Sequence, residues 1–226
     1  MEKINIAIDG PAGAGKSTVA RLVAERLGFV YVDTGAMYRA VALKALELGL
    51  DPGQTEQIAQ MAADLDIRLI PGDRGLQVLV DGRDVTEQIR EPRVSRAVSE
   101  IARIPRVREL LVLKQREMAK RKGVVMDGRD IGTNVMPDAE VKVFLTASVK
   151  ERAARRYAEL KAKNESVTLE QLERDIALRD RMDEQREVSP LRKAEDAVLL
   201  DTTGMTIPQV VERVLQLTEA FANKES

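Results

Sequence analysis

Apolar residues in this chain fall into two alternating patterns. Short runs rich in β-branched residues occur at Ile4-Asn5-Ile6-Ala7-Ile8, Phe29-Val30-Tyr31-Val32, Val124-Val125-Met126, Val141-Lys142-Val143-Phe144-Leu145-Thr146 and Ala197-Val198-Leu199-Leu200. Between them, apolar positions recur every three or four residues: Val19, Leu22, Val23 and Leu27, then Val41, Leu43, Leu46 and Leu48. A helix predicted over Val107 to Lys122 buries Leu110, Leu111, Leu113 and Met118, and a closing helix buries Val210, Val211, Val214, Leu215 and Leu217. Buried strands alternating with amphipathic helices predict an α/β fold on a parallel sheet. Thr206-Ile207-Pro208-Gln209 supplies a capping box with proline in the first turn of the closing helix.

Residues 51–105 break the alternation. A helix through Ile58, Met61, Ala62 and Leu65 precedes Ile67-Arg68-Leu69-Ile70, a Pro71-Gly72 turn region and Leu76-Gln77-Val78-Leu79-Val80. Asp81-Gly82 is a strong hairpin signal from which Arg83-Asp84-Val85 returns. Short helices are expected over Thr86–Ile89 and Val94–Ile101. The stretch predicts a small antiparallel sheet inserted into the parallel core, with too little core of its own to be an independent domain.

The carboxyl end of the first strand carries the most specific chemistry. In Gly10-Pro11-Ala12-Gly13-Ala14-Gly15-Lys16-Ser17-Thr18, the residues Gly10, Gly15, Lys16 and Ser17 occupy the fixed places of the P-loop. Such a loop aims backbone N–H groups at phosphates, and the helix that follows adds its positive end. Lys16 is the mobile charge for the β- and γ-phosphates, and the Ser17 hydroxyl a ligand for Mg²⁺. Two other strand ends are polar. Asp33-Thr34-Gly35-Ala36-Met37-Tyr38-Arg39 follows the second strand, with Arg39 expected to begin a helix and to contact a substrate phosphate. Asp127-Gly128-Arg129-Asp130-Ile131-Gly132-Thr133 follows the third, its first aspartate resembling a Walker B position. Arg152, Arg155 and Arg156 share one helical face. Arg174, Arg179, Arg181 and Arg186 follow a turn at 161–166, interleaved with Asp175, Asp180 and Asp183, as a lid closing over phosphates requires.

Composition narrows the chemistry. The 226 residues contain neither cysteine nor histidine, so catalysis must use carboxylates, lysine, arginine, backbone amides and Mg²⁺. Phosphoryl transfer needs little more. A net charge of −1, with 32% charged residues of mixed sign, does not match a general nucleic-acid binder. After Met1-Glu2-Lys3 the first strand begins directly, and no apolar run is long enough to span a bilayer, so a cytoplasmic chain without a membrane partner is expected.

Taken together, residues 10–18, 33–39, 127–133 and Arg186-Glu187-Val188-Ser189-Pro190-Leu191 resemble the bacterial cytidylate kinases in kind and order, over essentially the whole chain. The resemblance implies a P-loop kinase fold with a central parallel sheet flanked by helices, a small antiparallel-sheet insertion and a helical lid. It implies one kinase domain over 1–226, with a monophosphate-binding region at 36–105 that includes the insert at about 63–105, and a lid at 150–186. It implies transfer of the ATP γ-phosphoryl group to CMP or dCMP with Mg²⁺, by a monomer. Carried over by position, Thr34 lies beside the monophosphate, and Arg39 and Arg129 hold its phosphate. Ser99, Arg108 and Asp130 read cytosine, and Arg179 and Asp183 hold the sugar. Arg186 contacts the nucleotide or the transferring phosphate. Lys16, Arg129, Arg186 and Arg155 form the catalytic set; Arg152 and Arg156 are further lid candidates. Another small-molecule P-loop kinase, for uridylate, adenylate or shikimate, is the alternative. A GTP switch is weaker: Asp201-Thr202-Thr203-Gly204 matches D-x-x-G, but on the last strand, and the chain lacks an internal Asn-Lys-x-Asp segment.

Overall fold

A computed structural model describes residues 3–72, 75–162 and 165–223. Of the expected 161–166 turn, Lys163 and Asn164 lie outside the described residues. The chain divides into two compact units: residues 1–31 with 121–226, and residues 32–120.

The first unit is built on a five-stranded sheet. Its strands are β1 (Asn5–Asp9), β2 (Val30–Asp33, whose last two residues belong to the second unit), β6 (Val124–Gly128), β7 (Val141–Thr146) and β8 (Val198–Asp201), in the order β2-β6-β1-β7-β8. The registers Ile8↔Asp127, Ile8↔Val143 and Leu145↔Leu200 run parallel. Every residue of β1 is buried, as a central strand covered on both faces requires. Helices α1 (Lys16–Leu27) and α8 (Ile207–Ala222) cover one of those faces, closing a core of Ile6, Ile8, Val19, Val23, Val125, Val143, Leu145, Val211 and Val214. Both halves of the expected capping box open α8. Helices α6 (Val149–Ala162) and α7 (Leu169–Glu184) pack on each other through Ala153, Leu160, Leu172 and Ile176.

The second unit holds α2 (Thr34–Glu47), α3 (Thr55–Asp64), α4 (Pro92–Ile101) and α5 (Pro105–Ala119), with an antiparallel sheet of β3 (Ile67–Gly72), β4 (Gly75–Val80) and β5 (Arg83–Asp84). The Asp81-Gly82 turn has positive φ at both residues, 50° and 78°, the geometry that hairpin signal demands. Among the described residues, no helix is long and apolar enough to cross a membrane.

Four local expectations are corrected. Pro71 and Gly72 belong to β3 rather than to a turn, paired with Leu76 and Gly75. The expected helix at Thr86–Ile89 is only a 3₁₀ turn at Gln88–Arg90. Helix α2 begins at Thr34, because the Asp33 carboxylate caps it by accepting from the Ala36 N–H at 2.9 Å; Arg39 therefore sits in its second turn. Helix α5 starts at Pro105 and stops at Ala119, before Lys122 and Gly123 turn to positive φ. Its buried face is Val107, Arg108, Leu111, Val112, Gln115 and Ala119, while Leu113 is 62% exposed.

Candidate active site

The P-loop joins β1 to α1. A side chain at Gly10 would place its Cβ 2.0 Å from the Leu145 carbonyl oxygen, so only glycine lets the chain leave the central strand there. Gly15 takes a left-handed φ of 83° and starts α1 directly at Lys16, leaving first-turn N–H groups without intrahelical partners. Lys16 is buried, and its Nζ donates to the Pro11 carbonyl at 2.8 Å within the same loop. Burial first, and then the Arg129 guanidinium, push its pKa down to about 7.

The end of β6 faces this loop from the neighbouring strand. Asp127 is buried and accepts two hydroxyl hydrogen bonds, from Ser17 on Oδ2 at 3.0 Å and from Tyr31 on Oδ1 at 2.8 Å. A hydroxyl beside a carboxylate is a hard-oxygen pair able to ligate a divalent cation. Two residues after β6 the chain makes a π-helical turn, Ile131–Val135. Its first two N–H groups donate to Asp9, Ile131 to Oδ1 at 2.8 Å and Gly132 to Oδ2 at 2.7 Å. A Cβ on Gly132 would meet Asp9 Oδ2 and Lys142 Cδ at 3.3 Å each. Burial raises the Asp9 pKa to about 6, against those two hydrogen bonds. Asp130, buried at the same turn, accepts from Asn134 Nδ2 at 3.1 Å.

Cations gather around Asp183 on α7. Arg129 Nε donates to its Oδ2 at 2.9 Å, and Arg186 lies 3.8 Å from Oδ1. Burial alone would raise the Asp183 pKa; the Arg129 and Arg179 guanidiniums outweigh it and hold the carboxyl below its ordinary value. Arg186 also donates to the Val188 and Ser189 carbonyls. Lys16, Ser17, Asp127, Arg129, Asp183 and Arg186 are thus linked by hydrogen bonds or by direct electrostatic influence within one unit.

The three lid candidates do not share one environment. Arg152 is buried, donates to the Ala12 carbonyl of the P-loop and the Ala147 carbonyl at 2.9 Å each, and pairs bidentately with Asp180. Arg155 donates to Oγ1 and the carbonyl of Thr202 and pairs with Glu151. Thr202 lies in the D-x-x-G stretch and is thereby held to α6. Arg156 is exposed and pairs locally, with Glu159.

In the second unit, Thr34 is buried at the start of α2, and Arg39 donates to Ser95 Oγ at 2.8 Å and to the Ile89 carbonyl at 3.2 Å. Ser99 lies four residues beyond Ser95 on α4, on the same helix face. Arg108 is 2% exposed, donates to the Ala102 carbonyl and lies 5.1 Å from the Tyr38 ring centroid, a cation–π distance.

Sequence reasoning did not single out Asp9, Tyr31, Tyr38, Ser95 or Asp180. Tyr38 stands inside a quoted motif and Asp9 directly before the P-loop, but nothing in the local sequence shows that Asp9 reaches residues 122 and 123 positions away.

Comparison with known proteins follows the same lines. The family model described as cytidylate kinase matches residues 6–220. A cytidylate kinase of Desulfitobacterium hafniense is 56% identical over 216 residues, covering 96% of this chain and 93% of that one. A cytidylate kinase of Exiguobacterium sibiricum is 54% identical over 219 residues, with 97% and 98% covered. Among solved structures, an uncharacterized protein from Eubacterium ventriosum superposes with a TM-score of 0.53 at 10% identity, covering 97% of this chain and 99% of that one, a likeness of fold alone.

Proposed function

The chain belongs to the cytidylate kinase family, and from that premise we propose that it transfers the γ-phosphoryl group of ATP to CMP or dCMP, giving ADP and CDP or dCDP. The observation that carries the reading beyond family membership is the linkage, within one unit, of a P-loop lysine to the Arg129–Asp183–Arg186 cluster. A phosphoryl donor and a second phosphate both need fixed positive charge, and this arrangement supplies it without histidine or cysteine.

In this reading Gly10–Thr18 cradle the ATP phosphates. A phosphate oxygen of CMP attacks the γ-phosphorus in line, the bond from that phosphorus to the β–γ bridging oxygen breaks, and no covalent enzyme intermediate forms. Lys16, Arg129 and Arg186, with Arg155 a further candidate from α6, offset the charge on the moving group. Arg39, Arg129 and Thr34 hold the acceptor phosphate, Ser99, Arg108 and Asp130 read cytosine, and Arg179 and Asp183 hold the sugar. Ser17 and Asp127 fit Mg²⁺ and would hold it, and the ion would supply charge neutralisation to the triphosphate when bound with ATP. Asp130 explains the base preference: a carboxylate accepts from the cytosine amino group and faces the uracil carbonyl unfavourably, a mismatch of ~1–3 kcal/mol.

Steady-state phosphorylation of CMP, dCMP, UMP and AMP tests the reading. CMP or dCMP should have the highest kcat/KM, and preference for UMP or AMP would overturn it. Exchanging Asp130 for Ala should raise the KM for CMP far more than that for ATP; equal effects would make Asp130 structural. The proposal also has the protein act as a cytoplasmic monomer engaging neither nucleic acid nor membrane; its near-neutral charge of −1 supports the nucleic-acid part. Gel filtration tests the monomer.

A further inference from the structure

The Asp127 carboxylate is held from both sides. Ser17 Oγ donates to Oδ2 at 3.0 Å, and Tyr31 Oη donates to Oδ1 at 2.8 Å. The χ2 torsion of an aspartate is broad, so one hydrogen bond leaves the carboxylate plane free to swivel. A second bond to the opposite oxygen fixes that plane.

Tyr31 is suited to the task. It lies on β2, the edge strand beside β6, and its ring packs against the core that contains Ile6, Val19 and Val125. The ring is therefore anchored while its hydroxyl reaches a buried carboxylate. A ring in apolar surroundings needs no hydroxyl for packing; a phenol here adds a charge-assisted hydrogen bond at one defined oxygen. Asp127 remains a divided acceptor, with Oδ1 committed to Tyr31 and Oδ2 kept on the Ser17 side.

We propose that Tyr31 is a positioning residue that orients the Asp127 carboxylate so that Oδ2 and the Ser17 hydroxyl present a preformed pair of oxygens to the divalent cation of the bound nucleotide. The inference rests on the reading of Ser17 and Asp127 as the metal-holding pair. Residues that orient metal ligands commonly change metal affinity about 10- to 100-fold when removed, and a phenol acting on one carboxylate belongs at the low end of that range.

The test is Tyr31→Phe, which keeps the ring. Electron paramagnetic resonance with Mn²⁺ as probe measures metal binding to the protein–ADP complex, and ADP binding in EDTA measures the nucleotide site without metal. The expected result is a Mn²⁺ Kd raised roughly 10- to 20-fold, at the low end of the effect of removing such partners, with ADP affinity in EDTA unchanged. The Mg²⁺ concentration for half-maximal CMP phosphorylation should rise by a similar factor. An unchanged Mn²⁺ Kd overturns the proposal, and so does equal weakening of ADP binding in EDTA, which would mark a general distortion of the loop. If Tyr31→Phe does not fold, 3-fluorotyrosine at position 31 keeps the hydroxyl. Its ¹⁹F resonance should move when Mg²⁺ is added to the ADP complex, and an unmoved resonance overturns the proposal. Should the wild-type protein phosphorylate none of the nucleotides, the functional reading fails while the Mn²⁺ titration still decides the role of Tyr31.

Discussion

Lys16 is held in a condition that ATP should reverse. Burial and the Arg129 charge push its pKa down to about 7 in the free protein. Triphosphate oxygens beside Nζ favour the charged form and should restore the ordinary, higher value. Near neutral pH the free protein therefore holds part of Lys16 in the neutral form, and ATP binding should draw protons in. Calorimetry in two buffers of different ionisation enthalpy reads this uptake directly; a binding enthalpy independent of buffer would refute it. Exchanging Lys16 for Ala should lower kcat by at least ~10²–10³-fold, the scale of losing one charge-stabilising donor. The circular dichroism spectrum should stay unchanged. Asp9 shows the opposite sign. Its folded pKa is raised to about 6 from an ordinary 3.8, so its contribution to stability is fully present below about 3.8 and is lost as pH rises through 6. Asp9→Asn keeps one acceptor but sets an amide against a backbone N–H, a loss of roughly 1–3 kcal/mol. The stability gap between wild type and Asp9→Asn should be wider at pH 4.5 than at pH 7.5, as measured by urea unfolding. A gap that widens toward pH 7.5 would show that Asp9 is held charged. The P-loop residues were legible because four identities at fixed spacing carry their own geometry. Asp9 was not, because its partners come from a turn more than a hundred residues on.

Helices reveal a second kind of limit. The spacing of Leu110, Leu111, Leu113 and Met118 reads as an apolar face, yet α5 turns Leu113 to solvent and buries Arg108 and Gln115 instead. A stripe that runs Val107, Leu111, Gln115, Ala119 has the correct i, i+4 rhythm, with one polar member. Apolar counting passes over it because it equates buried with apolar, and a polar group can be buried when it finds partners, as Gln115 does weakly through Nε2 to Met37 Sδ at 3.9 Å. Leu111→Ala should therefore lower unfolding stability by ~2–5 kcal/mol. Leu113→Ala should stay within about 0.5 kcal/mol. Comparable losses would restore the simple apolar face. In α6 and α7 the arginines were visible in sequence, but not their division of labour. Arg152 is committed to Asp180 and the P-loop carbonyl of Ala12, whereas Arg156 remains at the surface. Asp180→Ala leaves Arg152 a buried, uncompensated charge and should cost ~3–5 kcal/mol. Asp180→Ala combined with Arg152→Met should recover part of that loss in a double-mutant cycle. Strict additivity of the two changes would show that the pair is not coupled.

At the scale of the whole chain, the parallel sheet and the antiparallel insert were both readable, because period-2 runs, 3.6-period helices and an Asp-Gly hairpin are local signals. Strand order β2-β6-β1-β7-β8 was not, since it depends on which apolar runs find one another across long stretches of chain. The chain also divides at Tyr31 and Lys120, which separates the P-loop, Asp130 and α6–α7 from Arg39, Ser99 and Arg108. That division has a consequence for how nucleotides order the protein. All the proposed donor contacts fall in one unit, whereas the proposed acceptor residues are drawn from both. A non-hydrolysable ATP analogue alone should slow amide exchange in residues 10–20 and along α6 and leave α2 and α4 near their free rates. CMP alone should slow exchange in α2, α4 and α5, where Arg39, Ser99 and Arg108 lie, and also around Asp130 in the first unit. Amides opened by local fluctuation respond to whatever ligand their own residues hold, so the two protection maps should differ segment by segment. CMP that protects only the first unit would remove Arg39, Ser99 and Arg108 from the acceptor site and leave cytosine to Asp130 alone.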